Sequence, residues 1–251
     1  MTSLAQLSWV QVQEALDAGR RTVLFAAGST EQHGPHLPLA TDTMLGDALA
    51  DQVAARLPGV LRGPTLSLGV SPHHMGFPGT ITLSPQTFQA VVREYVGSLG
   101  AHGFETVLVI PSHGGNFAPL RRLHTETGGE IGGARFVPYT DLLEFVDVMT
   151  AVGRADGQPP EVSGSHAGEA ETSILLALDQ GLVAMDKAVA GYDKPLDEEV
   201  AARLFAAGTK ALSEYGVLGD ARPATAERGR RYLDALVDLL VAYFDAWCSP
   251  K

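Results

Sequence analysis

Thr22-Val-Leu-Phe-Ala-Ala27 runs without a break into Gly28-Ser-Thr-Glu-Gln-His-Gly-Pro-His-Leu-Pro-Leu-Ala-Thr-Asp42. The first six residues are a short apolar run of the kind that forms a strand buried on both faces. The loop behind them gathers Glu31, His33, His36 and Asp42 among glycines and prolines that shape a turn rather than fill a core. Carboxylate oxygen and imidazole nitrogen together suit a hard or borderline divalent cation.

Further along the chain the same order returns. Thr106 to Ile110 is the clearest strand, and Pro111-Ser-His113-Gly-Gly-Asn116 follows it as a second tight loop. Helices are expected at Trp9 to Ala18, Thr43 to Leu57 and Ser84 to Leu99, the last with Ser84 as cap and Pro85 at its first position. More are expected at Pro119 to Thr127, Asp141 to Met149, Glu169 to Asp179, Pro195 to Tyr215 and Thr225 to Trp247. Val60 to Leu68 and Arg135 to Pro138 read as weaker strands. Gly153 to Gly164, polar and rich in Gly and Pro, reads as a loop or a lid. Repeated strand-loop-helix units predict an α/β fold with a mostly parallel sheet and helices on both faces. With no repeat and no linker, residues 1–251 read as one domain. In such folds ligands bind beyond the carboxyl ends of the strands, where the unusual residues collect.

A third cluster is Ser163-Gly-Ser-His166-Ala-Gly-Glu169-Ala-Glu171-Thr-Ser173. Glu169 and Glu171 are two apart, so on a helix they diverge. Glu171, beside the apolar run 174–178, is chosen as the metal ligand, and Glu169 as a reserve acid/base. His166 is a candidate acid/base or substrate-orienting group. His113 reads as a further ligand. Asn116 either caps the next helix or holds a substrate. His73 and His74 either line the substrate pocket or lie in a surface loop. His36 either orients a ligand or packs against its prolines. Glu31, His33, Asp42, His113 and Glu171 then make a mixed nitrogen and oxygen set, right for two ions with Asp42 as the bridge. Its lack of thiolate suits Zn, Mn or Fe(II).

Composition sets the outer bounds. The chain has 251 residues, 45% apolar and 19% charged, with a formal net charge of −11. That balance argues against a nucleic-acid partner, which needs clustered Lys and Arg. The single cysteine, Cys248, has no partner for a disulfide, which fits a reducing compartment. Neither a signal peptide nor a run of about 20 apolar residues is visible, so a cytoplasmic enzyme without a membrane partner is expected. A Gly-x-Ser-x-Gly elbow, a phosphate-binding Gly-Lys loop and a dinucleotide fingerprint are all missing.

The motifs Gly28 to Leu39 with Asp42, His73-His-Met-Gly-Phe-Pro-Gly-Thr80, Ser112-His-Gly-Gly-Asn116 and His166-Ala-Gly with Glu171-Thr-Ser resemble those of the creatininase (creatinine amidohydrolase) family. The resemblance implies a three-layer α/β/α fold, a dinuclear metal site and hydrolysis of a non-standard or cyclic amide C–N bond by metal-activated water. It also implies a homo-oligomer, often a hexamer. By the same resemblance Glu31, His33, Asp42 and His113 match the family's ligands and His166 its catalytic histidine. Two positions depart from the creatinine-cleaving members. Gly115 stands where those carry a metal-binding Glu, a place Glu171 is expected to take. The tryptophans, Trp9 and Trp247, lie far from the motifs. Both departures count against creatinine itself; the resemblance leaves the formamide deformylase-like, mycofactocin-peptidase-like and creatininase-like branches open, with a small molecule or short peptide as substrate. A non-catalytic metal-binding or assembly subunit is the alternative.

Overall fold

The computed structural model describes residues 3–194 and 198–248. One sheet carries its strands: β1 (Thr22–Ala27), β2 (Val60–Arg62), β3 (Thr106–Pro111), β4 (Glu130–Ile131) and β5 (Ala134–Pro138), in the order β2-β1-β3-β5-β4. Thr22 pairs with Val60 on one side and Thr106 on the other, and Thr106 pairs with Arg135, all parallel. Among the described strands only β4 runs antiparallel, as the short partner of β5.

The apolar runs of β1 and β3 are continuous because both sheet faces are covered. Leu24, Ala26, Leu108 and Ile110 point into one core, shared with α2 (Thr41–Arg56), α7 (Glu169–Leu178) and α9 (Ala226–Cys248). Phe25, Ala27, Val107 and Val109 point into another, shared with α3 (Pro85–Ala101) and α4 (Gly114–Thr127). Helix-sheet-helix layering follows from that alternation. A third, smaller cluster joins Leu16 of α1 (Trp9–Asp17) to Val23 and Leu61. Two further helices, α5 (Leu142–Ala155) and the short α6 (Pro160–Ser163), precede α7, and α8 (Glu198–Ala207) precedes α9. Among the described residues no helix is long and apolar enough to cross a membrane.

The topology creates the site. After β1 the chain moves through α2 toward the β2 edge, and after β3 it moves through α4 toward β4 and β5. The two connections part, leaving a crevice beyond the carboxyl ends of β1 and β3, the switch point where α/β sheets bind ligands.

Several expected boundaries move. α2 starts at Thr41, with Ala40 as an unassisted cap, so Asp42 sits inside its first turn. β2 stops at Arg62, where Gly63-Pro64 removes a donor. α4 starts at Gly114 and carries Pro119 within it, although proline prefers a first turn. The expected 153–164 loop holds the end of α5 and all of α6, and Gly153 and Ser163 are buried. Residues 195–197 of the expected 195–215 helix lie outside the described residues; the helix itself ends at Ala207, before Gly208 at φ +81°.

Candidate metal centre

Glu31, His33, Asp42 and His113 converge in the crevice, with exposures of 0%, 0%, 2% and 4%. Gly28 permits the turn that brings the first three together. A Cβ there would come within 2.9 Å of Thr43 Cα, so only glycine lets the end of β1 lie against the start of α2. Asp42 is the hub. Its Oδ1 is 3.3 Å from His33 Nε2 and its Oδ2 is 3.3 Å from His113 Nδ1. Glu31 Oε2 is 3.3 Å from the same His113 nitrogen. Glu171 Oε2 stands 3.7 Å from His33 Nε2.

Three triplets of donor atoms lie within 4.8 Å of one another: Glu31, Asp42 and His113; His33, Asp42 and Glu171; Glu31, His33 and His166. Both oxygens of Glu31, His33 Nε2 and Asp42 Oδ2 are buried without a hydrogen-bond partner among the described residues. Buried polar atoms left unpaired are expensive. Four aimed at one small space, all of metal-ligating type, fit a bound cation. The far nitrogens are anchored as metal-binding histidines usually are: His33 Nδ1 lies 3.2 Å from the Glu31 carbonyl, and His113 Nε2 lies 3.1 Å from the Val70 carbonyl.

Charge follows this crowding. Burial alone would lower the His33 pKa, but Asp42, Glu171 and Glu31 overcome it and hold the group at about 10. His113 is likewise raised, by Glu31 and Asp42 against burial. Burial pushes Asp42 up, yet His33 and His113 bring it down to about 2. Glu171 is raised to about 7 by burial and by Asp42, against the pull of His33.

The structure sorts the remaining candidates. His166 lies against the cluster, with Nδ1 3.7 Å from Glu31 Oε1 and its ring 4.2 Å from those of His33 and His74. The residue after it, Ala167, is the one described non-glycine at positive φ, +52°. Such strain collects where a turn aims a functional side chain, and the Ala167 N–H donates to Glu171 Oε2 at 2.6 Å. His74 is buried with Nε2 3.2 Å from Glu31 Oε1. His73 is buried too, stacks on His113 and meets the edge of Phe205. A surface loop is therefore excluded for both. His36 gives or takes a bond at 2.8 Å with Thr172 Oγ1, next to Glu171, and burial lowers its pKa to about 4.

Two expectations are corrected. Asn116 neither caps α4 nor faces the cluster. Its amide nitrogen donates to the Ala27 and Gly28 carbonyls and its oxygen accepts from Val70 N–H, each at 3.0 Å. Those bonds use both amide protons and one lone pair of the oxygen. Glu169 is not a spare acid/base at the cluster. It is fully buried on the other side of α7, where it accepts from Arg228 and Ser173 at 2.5 Å and from Tyr232 at 2.6 Å. One residue escaped sequence reasoning: Gln32, whose amide lies between His74 and His166. Its place between two ligands in Glu31-Gln32-His33 was the available signal.

Gly115 is closed to any side chain, because a Cβ there would collide with Val70 O and His113 Nε2. A carboxylate at that position is thus incompatible with this backbone, whereas Glu171 reaches the cluster from α7.

The family model described as creatinine amidohydrolase matches residues 5–244. The chain belongs to the creatininase family. The mycofactocin precursor peptide peptidase of Mycobacterium ulcerans (strain Agy99) is 35% identical over 234 residues, 90% of this chain and 85% of the relative. The creatinine amidohydrolase of Pseudomonas putida is 25% identical over 250 residues, 93% and 92% of the two chains. A solved mutant creatininase described as Zn-Zn type superposes with a TM-score of 0.77 at 25% identity, covering all of both chains. These relatives are hydrolases, and this creatininase-family chain is an enzyme of that class, with a site able to bind metal.

Proposed function

We propose that this chain is a dinuclear metal-dependent amidohydrolase that cleaves an amide bond of a short peptide. One observation carries the two-ion reading: Asp42 belongs to two of the donor triplets, one completed by Glu31 and His113, the other by His33 and Glu171. A carboxylate shared in this way is the usual bridge of a paired site. The peptide is favoured over a small ring by the 35% identity to a precursor peptide peptidase against 25% to a creatinine amidohydrolase. Cavities support it. One of about 260 Å³ is walled by His73, and one of about 700 Å³ by Gly114 and Gly115; both share Phe205.

When bound, Zn, Mn or Fe(II) supplies Lewis acidity that polarises a carbonyl and acidifies water. The chain supplies the rest. Glu31, Asp42 and Glu171 present oxygen, and His33 and His113 present Nε2 and Nδ1. Burial of Glu31, His33, Asp42 and His113, with Glu171 half-buried beside them, limits bulk water and strengthens the charge interactions among them. His166 carries a proton between the attacking oxygen and the departing nitrogen through Nδ1, the atom nearest Glu31.

Elemental analysis of purified protein, paired with mass spectrometry of digests of short peptides, tests this. The expected result is about two ions per chain, a peptide split into two fragments with one water added, and creatinine left intact. One ion per chain defeats the paired site. Creatinine turnover without peptide cleavage defeats the substrate class.

A further inference from the structure

We infer that Lys210 is a specificity-determining residue that binds a carboxylate of the substrate at the wall of the smaller cavity. That the bound molecule is a substrate rests on the hydrolase reading above; the carboxylate site rests on where one cation stands.

The cavity of about 260 Å³ is walled in part by His73, Gly76, Phe205 and Lys210, and Lys210 is the one residue in that wall with a fixed charge. Gly208, at φ +81°, turns the chain out of α8, and a short 3-10 turn over Thr209–Ala211 follows. Thr209 is fully buried, and its hydroxyl donates to the His73 carbonyl at 3.1 Å. Arg203 Nη2 holds the far end of the turn through the Ala211 carbonyl at 2.9 Å. The base of Lys210 is thus pinned to the segment that carries His73. Its stem lies along Gly76, where a Cβ would come within 3.3 Å of Lys210 Cβ.

The ammonium is held but not neutralised. Its contacts are the Gly76 carbonyl at 3.5 Å, long for a hydrogen bond, and the Phe77 ring, with Nζ 5.4 Å from the centroid. Among the described residues no carboxylate oxygen lies within 4.0 Å of Lys210 Nζ. The chain carries 29 acidic side chains against 18 basic ones, so this is not for want of acids. An ammonium has three protons to give, and a carboxylate is the acceptor that completes it best.

Position matters as much as charge. His73, in the same wall, stacks on His113 with ring centroids 5.9 Å apart and planes 11° apart. Gly114 and Gly115, which follow His113, wall the larger cavity of about 700 Å³. His113 therefore stands between the two, and a substrate reaching from one cavity into the other passes the cluster. The larger cavity carries one charge of each sign, Arg121 and Asp141, and Arg121 already donates to the Thr140 carbonyl. A carboxylate is matched in the smaller cavity and not in the larger, so Lys210 sets the direction in which the substrate lies across His113. A chain terminus and an acidic side chain offer it the same chemistry.

Saturation-transfer NMR on zinc-loaded and metal-free protein measures binding of three probes: N-acetyl-Ala-Ala-Phe as the free acid, the same peptide as its amide, and N-acetyl-Ala-Glu-Phe amide. Wild type in both forms should bind the free acid roughly three- to tenfold more tightly than its amide, and the gap should close as salt is added. The third probe separates the sources. Binding as tight as the free acid's assigns the site to any carboxylate, and binding as weak as the amide's assigns it to a chain terminus. Lys210→Met should lose the preference, and Lys210→Glu should invert it. Equal binding of acid and amide by wild type overturns the proposal. So does a preference that survives in Lys210→Met, or one confined to zinc-loaded protein, since either places the carboxylate elsewhere. The wild-type comparison decides even if a variant does not fold. A protein that prefers the acid but leaves every amide bond whole refutes hydrolysis alone; one that cleaves peptides without preferring the acid refutes the role of Lys210 alone.

Discussion

Replacing Arg228 by Met should destabilise the protein sharply and leave the metal centre intact. Glu169 is completely buried and Arg228 is 8% exposed. In wild type the carboxylate accepts from the Arg228 guanidinium and Ser173 Oγ at one oxygen, and from Tyr232 OH at the other. Arg228→Met keeps the two hydroxyls and removes the one cation that bonds this carboxylate among the described residues, leaving a buried charge uncompensated. Breaking a buried pair in this way costs about 3–5 kcal/mol. For a chain of this size each kcal/mol lowers the melting temperature by about 2–4 °C, so the drop should be roughly 6–20 °C. Asp156 keeps its bridge to Arg231 and adds little. Arg228→Met/Glu169→Gln should recover much of the loss, because no bare charge remains, and a double-mutant cycle reads the coupling. Glu169→Gln alone should retain metal and turnover. A melting shift below about 2 °C for Arg228→Met would refute the buried-pair reasoning. Loss of turnover in a stable, metal-loaded Glu169→Gln would return that carboxylate to the chemistry.

Gly115→Ala should push His113 off the Val70 carbonyl, destabilising the fold by about 1–3 kcal/mol and lowering metal content; full loading by elemental analysis would contradict the close approach. Glu171→Gln leaves Ala167 N–H an acceptor but removes a charged donor, so metal content should fall from about two ions to about one; two ions held with unchanged affinity would remove Glu171 from the ligand set. Metal uptake at pH 7 should expel roughly two to three protons, since His33, held at about 10, and His113, also raised, must deprotonate to ligate, and Glu171, raised to about 7, is about half protonated. Affinity therefore rises with pH, by roughly tenfold per proton per pH unit. Calorimetry in buffers of different ionisation enthalpy counts the protons, and a count near zero would show that those rings enter the site neutral.

The sequence was most readable where one local rule was strong. β1 and β3 declared themselves as unbroken apolar runs because helices cover both faces. Ser84-Pro85 marked the start of α3 because a hydroxyl cap and a proline are both first-turn features, and Ser84 does accept from Thr87 N–H. Glu31, His33 and Asp42 stood out as donors crowded into one loop. The misses have non-local causes. Pro119 suggested a helix start, but α4 begins five residues earlier, fixed by the end of β3 and by Asn116 reaching back to β1. Glu169 resembled an acid/base until α9 brought Arg228 and Tyr232 against it from 59 and 63 residues away. Gln32 could not be weighed at all, since its value lies in two histidines 42 and 134 residues downstream.

The Asn116 amide, bonded to Ala27, Gly28 and Val70, rivets the end of β1 and the Val70 loop to one helix. The ligand-bearing wall therefore cannot adjust piecemeal. The stretch around Phe205 and Lys210 walls a cavity beside His73 and supplies none of the donor triplets found among the described residues, so a change of substrate is expected to fall there. Such a chain can change its diet by rewriting one short stretch while its chemical apparatus is inherited unaltered.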